Sequence, residues 1–177
     1  MAKDNGIEIK SLVFPRNQFN EEYLSICNEF GITSVRTNPD IWYWSYSDNA
    51  GSFFKRFFRA GDAYLKFQPI KRQFLKDIDI THRPLLLPAS RLYRSWRPHY
   101  QIENKFKLKR ILNEMTKAAQ HGAYYHIWWH PHNFGNYPQQ CLDELKTIAQ
   151  HFVHLQKKYG FETMNMKELT DRLLSSS

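Results

Sequence analysis

The sequence predicts an α/β fold built from βαβ crossovers, on three observations. Short apolar runs bounded by Pro and Gly alternate with longer segments whose apolar residues recur every three or four positions. The run Ala123 to His130 (AYYHIWWH) is apolar almost throughout, as a parallel strand covered on both faces must be. No internal repeat or linker interrupts the alternation, so the 177 residues read as a single domain, 1–177.

Ile7 to Phe14 opens with Ile7 and Ile9 alternating against Glu8 and Lys10, and Pro15 stops it, which predicts a strand feeding a loop. Asn20 is a good N-cap for a helix with Tyr23, Leu24, Ile26, Cys27 and Phe30 on one side, closed by Gly31. A short strand follows around Ser34 to Arg36. From Asn38 to Asp79 the pattern is less regular. An aromatic cluster at 41–46 precedes an amphipathic helix through Phe53, Phe54, Phe57, Phe58, Ala60 and Tyr64, with Lys55, Arg56 and Arg59 opposite.

Leu85-Leu86-Leu87, between Pro84 and Pro88, reads as a short buried strand or extended segment. Asn104 precedes a helix carrying Leu108, Ile111, Leu112, Met115, Ala118 and Ala119, and Gly122 supplies its left-handed end. After the strand 123–130, Asn136 and Pro138 take the N-cap and N1 positions of a long helix with Leu142, Leu145, Ile148, Phe152 and Leu155, ended by Gly160. A strand over Phe161 to Met164 and a helix over Met166 to Leu174 follow.

Composition narrows the class. An apolar fraction of 42%, with 5 Trp, 10 Tyr and 13 Phe, excludes a disordered chain, and 7 Gly and 8 Pro without period exclude collagen-like or low-complexity sequence. Cys27 and Cys141 fall inside helical patterns and read as free buried thiols, not a disulfide framework. No apolar run approaches the ~20 residues of a membrane helix, and MAKDNGIEIK is no secretion leader, so the chain as given is expected to be soluble and cytoplasmic, its localisation otherwise open. The formal charge of +8 admits nucleic acid, anionic glycan or a phosphorylated ligand. Most of that charge, including Lys55-Arg56, Lys71-Arg72 and the run Lys105/Lys107/Lys109/Arg110, is assigned mainly to solvent faces of helices, which makes nucleic acid a poor candidate.

In α/β proteins ligands sit at the carboxyl ends of parallel strands, so the loops there are read for chemistry. The first, Phe14-Pro15-Arg16-Asn17-Gln18, presents a guanidinium and two carboxamides, suited to a carboxylate or a sugar, or to plain solvation. The second, Trp128-Trp129-His130-Pro131-His132-Asn133-Phe134-Gly135, is more informative. Alternation puts His126, Trp128 and His130 on one side and Ile127 and Trp129 on the other. His130 at the strand end can act as a general acid near neutral pH or as a metal ligand. Pairing it with His132 as metal ligands is weaker, since zinc usually takes three or four protein ligands. His151 and His154 read as packing or surface residues. In Ser90 to Arg97, Arg91, Arg94 and Arg97 interleave with Tyr93 and Trp96, a surface that could stack a sugar or hold a phosphate.

These motifs resemble the polysaccharide deacetylase family, most closely a bacterial branch with the same three stretches: Phe14 to Gln18, Leu87 to Arg91 and Trp128 to Gly135. The resemblance implies part of an irregular β/α barrel of the glycoside hydrolase/deacetylase type, lacking its first strands. It implies a hydrolase of carbohydrate metabolism that removes N- or O-acetyl groups from a sugar with a zinc-like divalent metal. Arg16 resembles the Arg that orients the catalytic base, and His130 the late His that acts as general acid. Trp128, His132, Asn133, Arg91 and Arg94 are then substrate-binding candidates. Pro131 stands where an Asp commonly follows the His, and Asn17-Gln18 replaces a Pro-Tyr pair.

The family's Thr-Phe-Asp-Asp and His-Ser-x-x-His stretches, which carry its base and metal triad, have no counterpart here; Asp77, Asp79 and His82 do not reproduce their spacing. The chain is therefore expected either to be truncated relative to the barrel or to complete its sheet by self-association through exposed edges, and in either case to bind the metal poorly and be inactive alone. The competing expectation is a non-catalytic module that binds anionic glycan or nucleic acid through the Arg91 to Arg97 surface.

Overall fold

A computed structural model of the chain describes residues 3–39 and 73–175, with the side chains of Lys3 and Arg16 outside that description. The expected helix from Phe53 to Tyr64, the cluster at 41–46 and the pairs Lys55-Arg56 and Lys71-Arg72 lie outside the described residues. The architecture is α/β with parallel strand pairing, as expected, and its described strands form two separate sheets. The chain divides into two compact units.

The first unit comprises the described residues of Met1–Asn38, Phe74–Pro88 and Thr163–Ser177. Its strands β1 (Ser11–Leu12), β2 (Ser34–Thr37) and β3 (Leu85–Pro88) pair in that order, all parallel, with Ser11 opposite Ser34 and Ser34 opposite Leu85. Helix α1 (Glu21–Glu29) makes the crossover from β1 to β2, and Asn20 caps it as expected, its Oδ1 accepting from the Tyr23 N–H at 2.9 Å. Leu24 and Cys27 pack with Ile32 and Val35, joined by Leu12, Phe14, Phe19 and Leu86. The α1 stripe is narrower than the sequence suggests: Tyr23, Ile26 and Phe30 remain exposed. The predicted first strand shrinks to two residues, and Ile7 and Ile9 are exposed. Helix α4 (Met166–Ser175) touches β2 and buries Thr170 completely.

The second unit comprises the described residues of Pro39–Gln73 and Ala89–Glu162. Here β4 (Arg91–Leu92) pairs in parallel with β5 (Ile127–Trp128), Arg91 opposite Ile127 and Leu92 opposite Trp128. Helices α2 (Gln101–Gln120) and α3 (Pro138–Tyr159) lie side by side. Their contacts advance together along both chains, from Lys107 with Glu144 through Thr116 with His151 to Gln120 with Tyr159, so the two run parallel. That is the geometry of consecutive strand–helix units. Tyr93, Ile111, Met115, Ala119, Cys141, Ile148 and Leu155 form the core, with Tyr125, Ile127 and Phe134 packed against it.

Several boundaries differ from the pattern. Helix α2 starts at Gln101, before Asn104, because Asn104 closes the preceding loop: its Oδ1 accepts from Arg97 N at 3.2 Å and its Nδ2 donates to Arg97 O at 2.6 Å. Tyr137, not Asn136, is the N-cap of α3, with Pro138 at N1 as expected. Of the run 123–130 only Ile127–Trp128 pairs in the ladder. Tyr124 instead bridges to Gln73, and the His126 N–H donates to Ser90 Oγ at 3.0 Å. Phe161 to Met164 is not a strand. Cys27 and Cys141 are free and buried. Among the described residues no helix is long and apolar enough to cross a membrane.

Candidate functional site

Parallel pairing sends the segments after β4 and β5 out at the same end of the second unit. After β4, Tyr93 to Tyr100 leads into α2; after β5, a 3-10 turn over Pro131–Phe134 leads into α3. The Tyr93 N–H still donates to Trp128 O at 2.8 Å, so the two loops separate only beyond that point.

The loop after β5 is where the sequence places its strongest candidates. Trp128 is half-buried and meets the exposed His130 ring edge-on, at 5.2 Å between centroids and 87° between planes. His130 in turn stacks face to face on His132 at 5.0 Å and 11°. Asn133 shapes the turn: its Oδ1 accepts from the His130 N–H at 2.8 Å, its own N–H donates to His130 O at 2.9 Å, and its Nδ2 donates to Ser95 Oγ at 3.3 Å. The loop is anchored to the core by Phe134, stacked on Tyr93 at 5.6 Å. Three of the predicted residues, Trp128, His130 and His132, are thus brought into one aromatic column, and Asn133 fixes the backbone that carries them.

The arginines divide differently. Arg91 is buried and makes a two-pronged ion pair with Glu114, Nε to Oε2 at 3.0 Å and a terminal guanidinium nitrogen to Oε1 at 2.7 Å. Arg110 and the Tyr125 hydroxyl donate to the same carboxylate at 2.9 Å each. Arg91 therefore ties β4 to α2 and faces inward, away from the basic surface expected over Arg91 to Arg97. Arg94 is half-buried, and its carbonyl accepts from Lys107 Nζ at 2.8 Å. Only Arg97 of the three is exposed, lying over the Tyr100 ring at 5.5 Å.

Lys107 corrects the reading of its run as a solvent face. It is 2% exposed, its Nζ donates to Glu144 Oε2 at 2.6 Å, and it sits over the Tyr93 ring at 4.8 Å. The Tyr93 hydroxyl donates to the same Glu144 oxygen at 2.7 Å. Desolvation pulls Lys107 below the usual lysine range against the opposing pull of Glu144, and desolvation followed by Glu144 pushes Tyr93 far above the usual phenol range. Cys141 extends this network to the loop, its thiol donating to Asn133 O at 3.4 Å and accepting from the Trp96 N–H at 3.4 Å. No signal in the sequence marks Lys107 or Glu144, because their partnership spans 37 residues.

In the first unit, Arg16 lies on the 3-10 turn Pro15–Asn17, which Val13 and Phe14 join to β1. Asn17 takes a positive φ of 53° and is buried. Its Oδ1 accepts from Arg36 Nε at 3.1 Å, and its Nδ2 donates to Asn38 Oδ1 at 3.0 Å. Asn17, read from sequence as a ligand-facing carboxamide, thus fastens the turn. Arg36, buried on β2, is the residue the sequence reading missed; burial lowers its guanidinium to about 10, which leaves it charged at neutral pH. Its only sequence signal is a charge inside a short strand.

Among the described residues no three His, Cys, Asp or Glu side chains converge as metal donors. The stacked rings of His130 and His132 keep their nitrogens in nearly parallel planes, which does not suit two ligands to one ion. The described residues do not fit a divalent metal. No protein-family model, curated protein or solved structure matches the chain.

Proposed function

We propose that the chain is the later part of a polysaccharide deacetylase-like β/α barrel domain, acting on an acetylated sugar, with His130 as its general acid. The observation that carries this reading is the loop after β5, which presents an exposed imidazole beside an indole at the carboxyl end of a parallel strand. When water attacks an acetyl carbonyl, the departing sugar nitrogen or oxygen must gain a proton, and an imidazole at this position supplies it. Trp128 offers an apolar wall for the acetyl methyl group, and Asn133 is a positioning residue. Arg16 stands on the corresponding post-strand turn of the first unit and is assigned to orienting the catalytic base. The family's metal and base stretches are missing from this sequence, so the chain alone is proposed to release no acetate.

The competing reading, a polyanion-binding module, loses support because Glu114 already engages Arg91. The deciding measurement is acetate release from an N-acetylchitooligosaccharide by the full product of the gene, with and without added zinc. Metal-dependent release that falls about 100-fold or more in His130→Ala is the expected result. Release indifferent to that substitution, or none at all, overturns the reading.

A further inference from the structure

We propose that the groove between α2 and α3 is a separate saccharide-binding site, built on Trp96, that holds a neutral glycan alongside the His130 loop. The inference deepens the sugar reading above and rests on it for the ligand class.

The groove is open to solvent along its length and offers about 440 Å³. Its construction follows from helix periodicity. Gln101, Lys105 and Leu108 of α2 face Gln140, Asp143 and Thr147 of α3, each set falling on a single helix face. Because the helices are parallel, both walls come from the N-terminal two to three turns, toward the end where the His130 loop emerges. Trp96, half-buried and braced edge-on by Tyr137 at 5.3 Å, adds an indole to the groove.

The lining chemistry selects among ligand classes. An indole with carboxamides, a carboxylate, an ammonium and a hydroxyl matches a pyranose, whose C–H face stacks on an aromatic ring while its hydroxyls take paired hydrogen bonds at the rim. Lys105 and Asp143 both line the groove and Glu144 is ion-paired with Lys107, so the lining carries no net charge and suits a neutral ligand. Trp96 and Leu108 alone are too little apolar surface for a hydrophobic peptide. The groove is also wired to the loop: the Trp96 N–H meets the Cys141 sulfur, whose thiol reaches Asn133 O, and Asn133 reaches Ser95. A glycan seated on Trp96 is therefore kept beside the loop that carries His130.

The test titrates the intact chain with N,N′-diacetylchitobiose by calorimetry, comparing wild type with Trp96→Ala, Gln140→Ala, Asp143→Ala and His130→Ala. Gln140 and Asp143 are exposed, so their variants keep the test sound if Trp96→Ala fails to fold. Saturable binding is expected, weakened about tenfold by Trp96→Ala and by Asp143→Ala. Absence of saturable binding, or binding indifferent to all three groove substitutions, overturns the proposal. Binding lost only in His130→Ala removes the groove and leaves the loop reading standing. Groove binding without acetate release by the full gene product removes the deacetylase reading and leaves the groove.

Discussion

Lys107 sits between Lys105 and Lys109 in a run that patterning alone assigns to solvent, yet it is enclosed with Glu144 and Tyr93. The cost of removing its charge from water is offset only while both partners are present. Lys107→Met is therefore expected to cost about 3–5 kcal/mol, because it strands the Glu144 carboxylate in the core. Lys107→Met combined with Glu144→Leu should recover most of that loss, and urea unfolding followed by circular dichroism compares the two. Arg91 and Asn17 make the same point. Each stands in a stretch that looked ligand-facing, and each is taken up by a partner from a distant part of the chain, Glu114 and Arg36 respectively. Sequence separations of 23 and 19 residues hide such pairs from local reading. The place of His130 on the loop after β5 was legible because its signal is local: two imidazoles and an asparagine directly after an apolar run.

Glycine-closed helix C-termini were the most legible elements, since one positive-φ residue sets them, whereas Asn20 is the one expected N-cap of the three that holds. Asn20 starts α1, and Gly160 ends α3 in the left-handed region at φ 67°, donating its N–H to Gln156 O. A Cβ at Gly160 would meet no atom within 4 Å, so substitution there carries a purely conformational penalty. Gly160→Ala is expected to lower stability by roughly 1 kcal/mol, and Gly160→Asn by less, measured as shifts in the unfolding midpoint. Strand lengths were poorly legible. The apolar run 123–130 is as hydrophobic as a full buried strand, but only two residues find ladder partners in β4, and Tyr124 pairs with Gln73 instead. Hydrophobicity reports burial, whereas a ladder needs a neighbour of matching length.

At the scale of the whole molecule, the α/β class and the parallel pairing were readable from alternation. Global stability should carry an alkaline signature. Tyr93, Tyr124 and Tyr125 are held above the usual phenol range by desolvation first, with Glu144 adding to Tyr93 and Glu114 to Tyr125. The folded chain keeps these protons while the unfolded chain releases them near pH 10, so their contribution is full below that pH and is lost as pH rises toward the folded values. The stability difference between wild type and Tyr125→Phe should thus shrink by up to about 1.4 kcal/mol per pH unit above 10, read from guanidinium unfolding curves.

The parallel run of α2 and α3 has an electrostatic consequence of its own. Each helix concentrates about half a positive charge at its first turn, and here the two add at one end instead of cancelling as they would in an antiparallel pair. The end that carries the His130 loop therefore sits in a positive backbone field that no single side chain there encodes. An acetate leaving that loop would depart against this field.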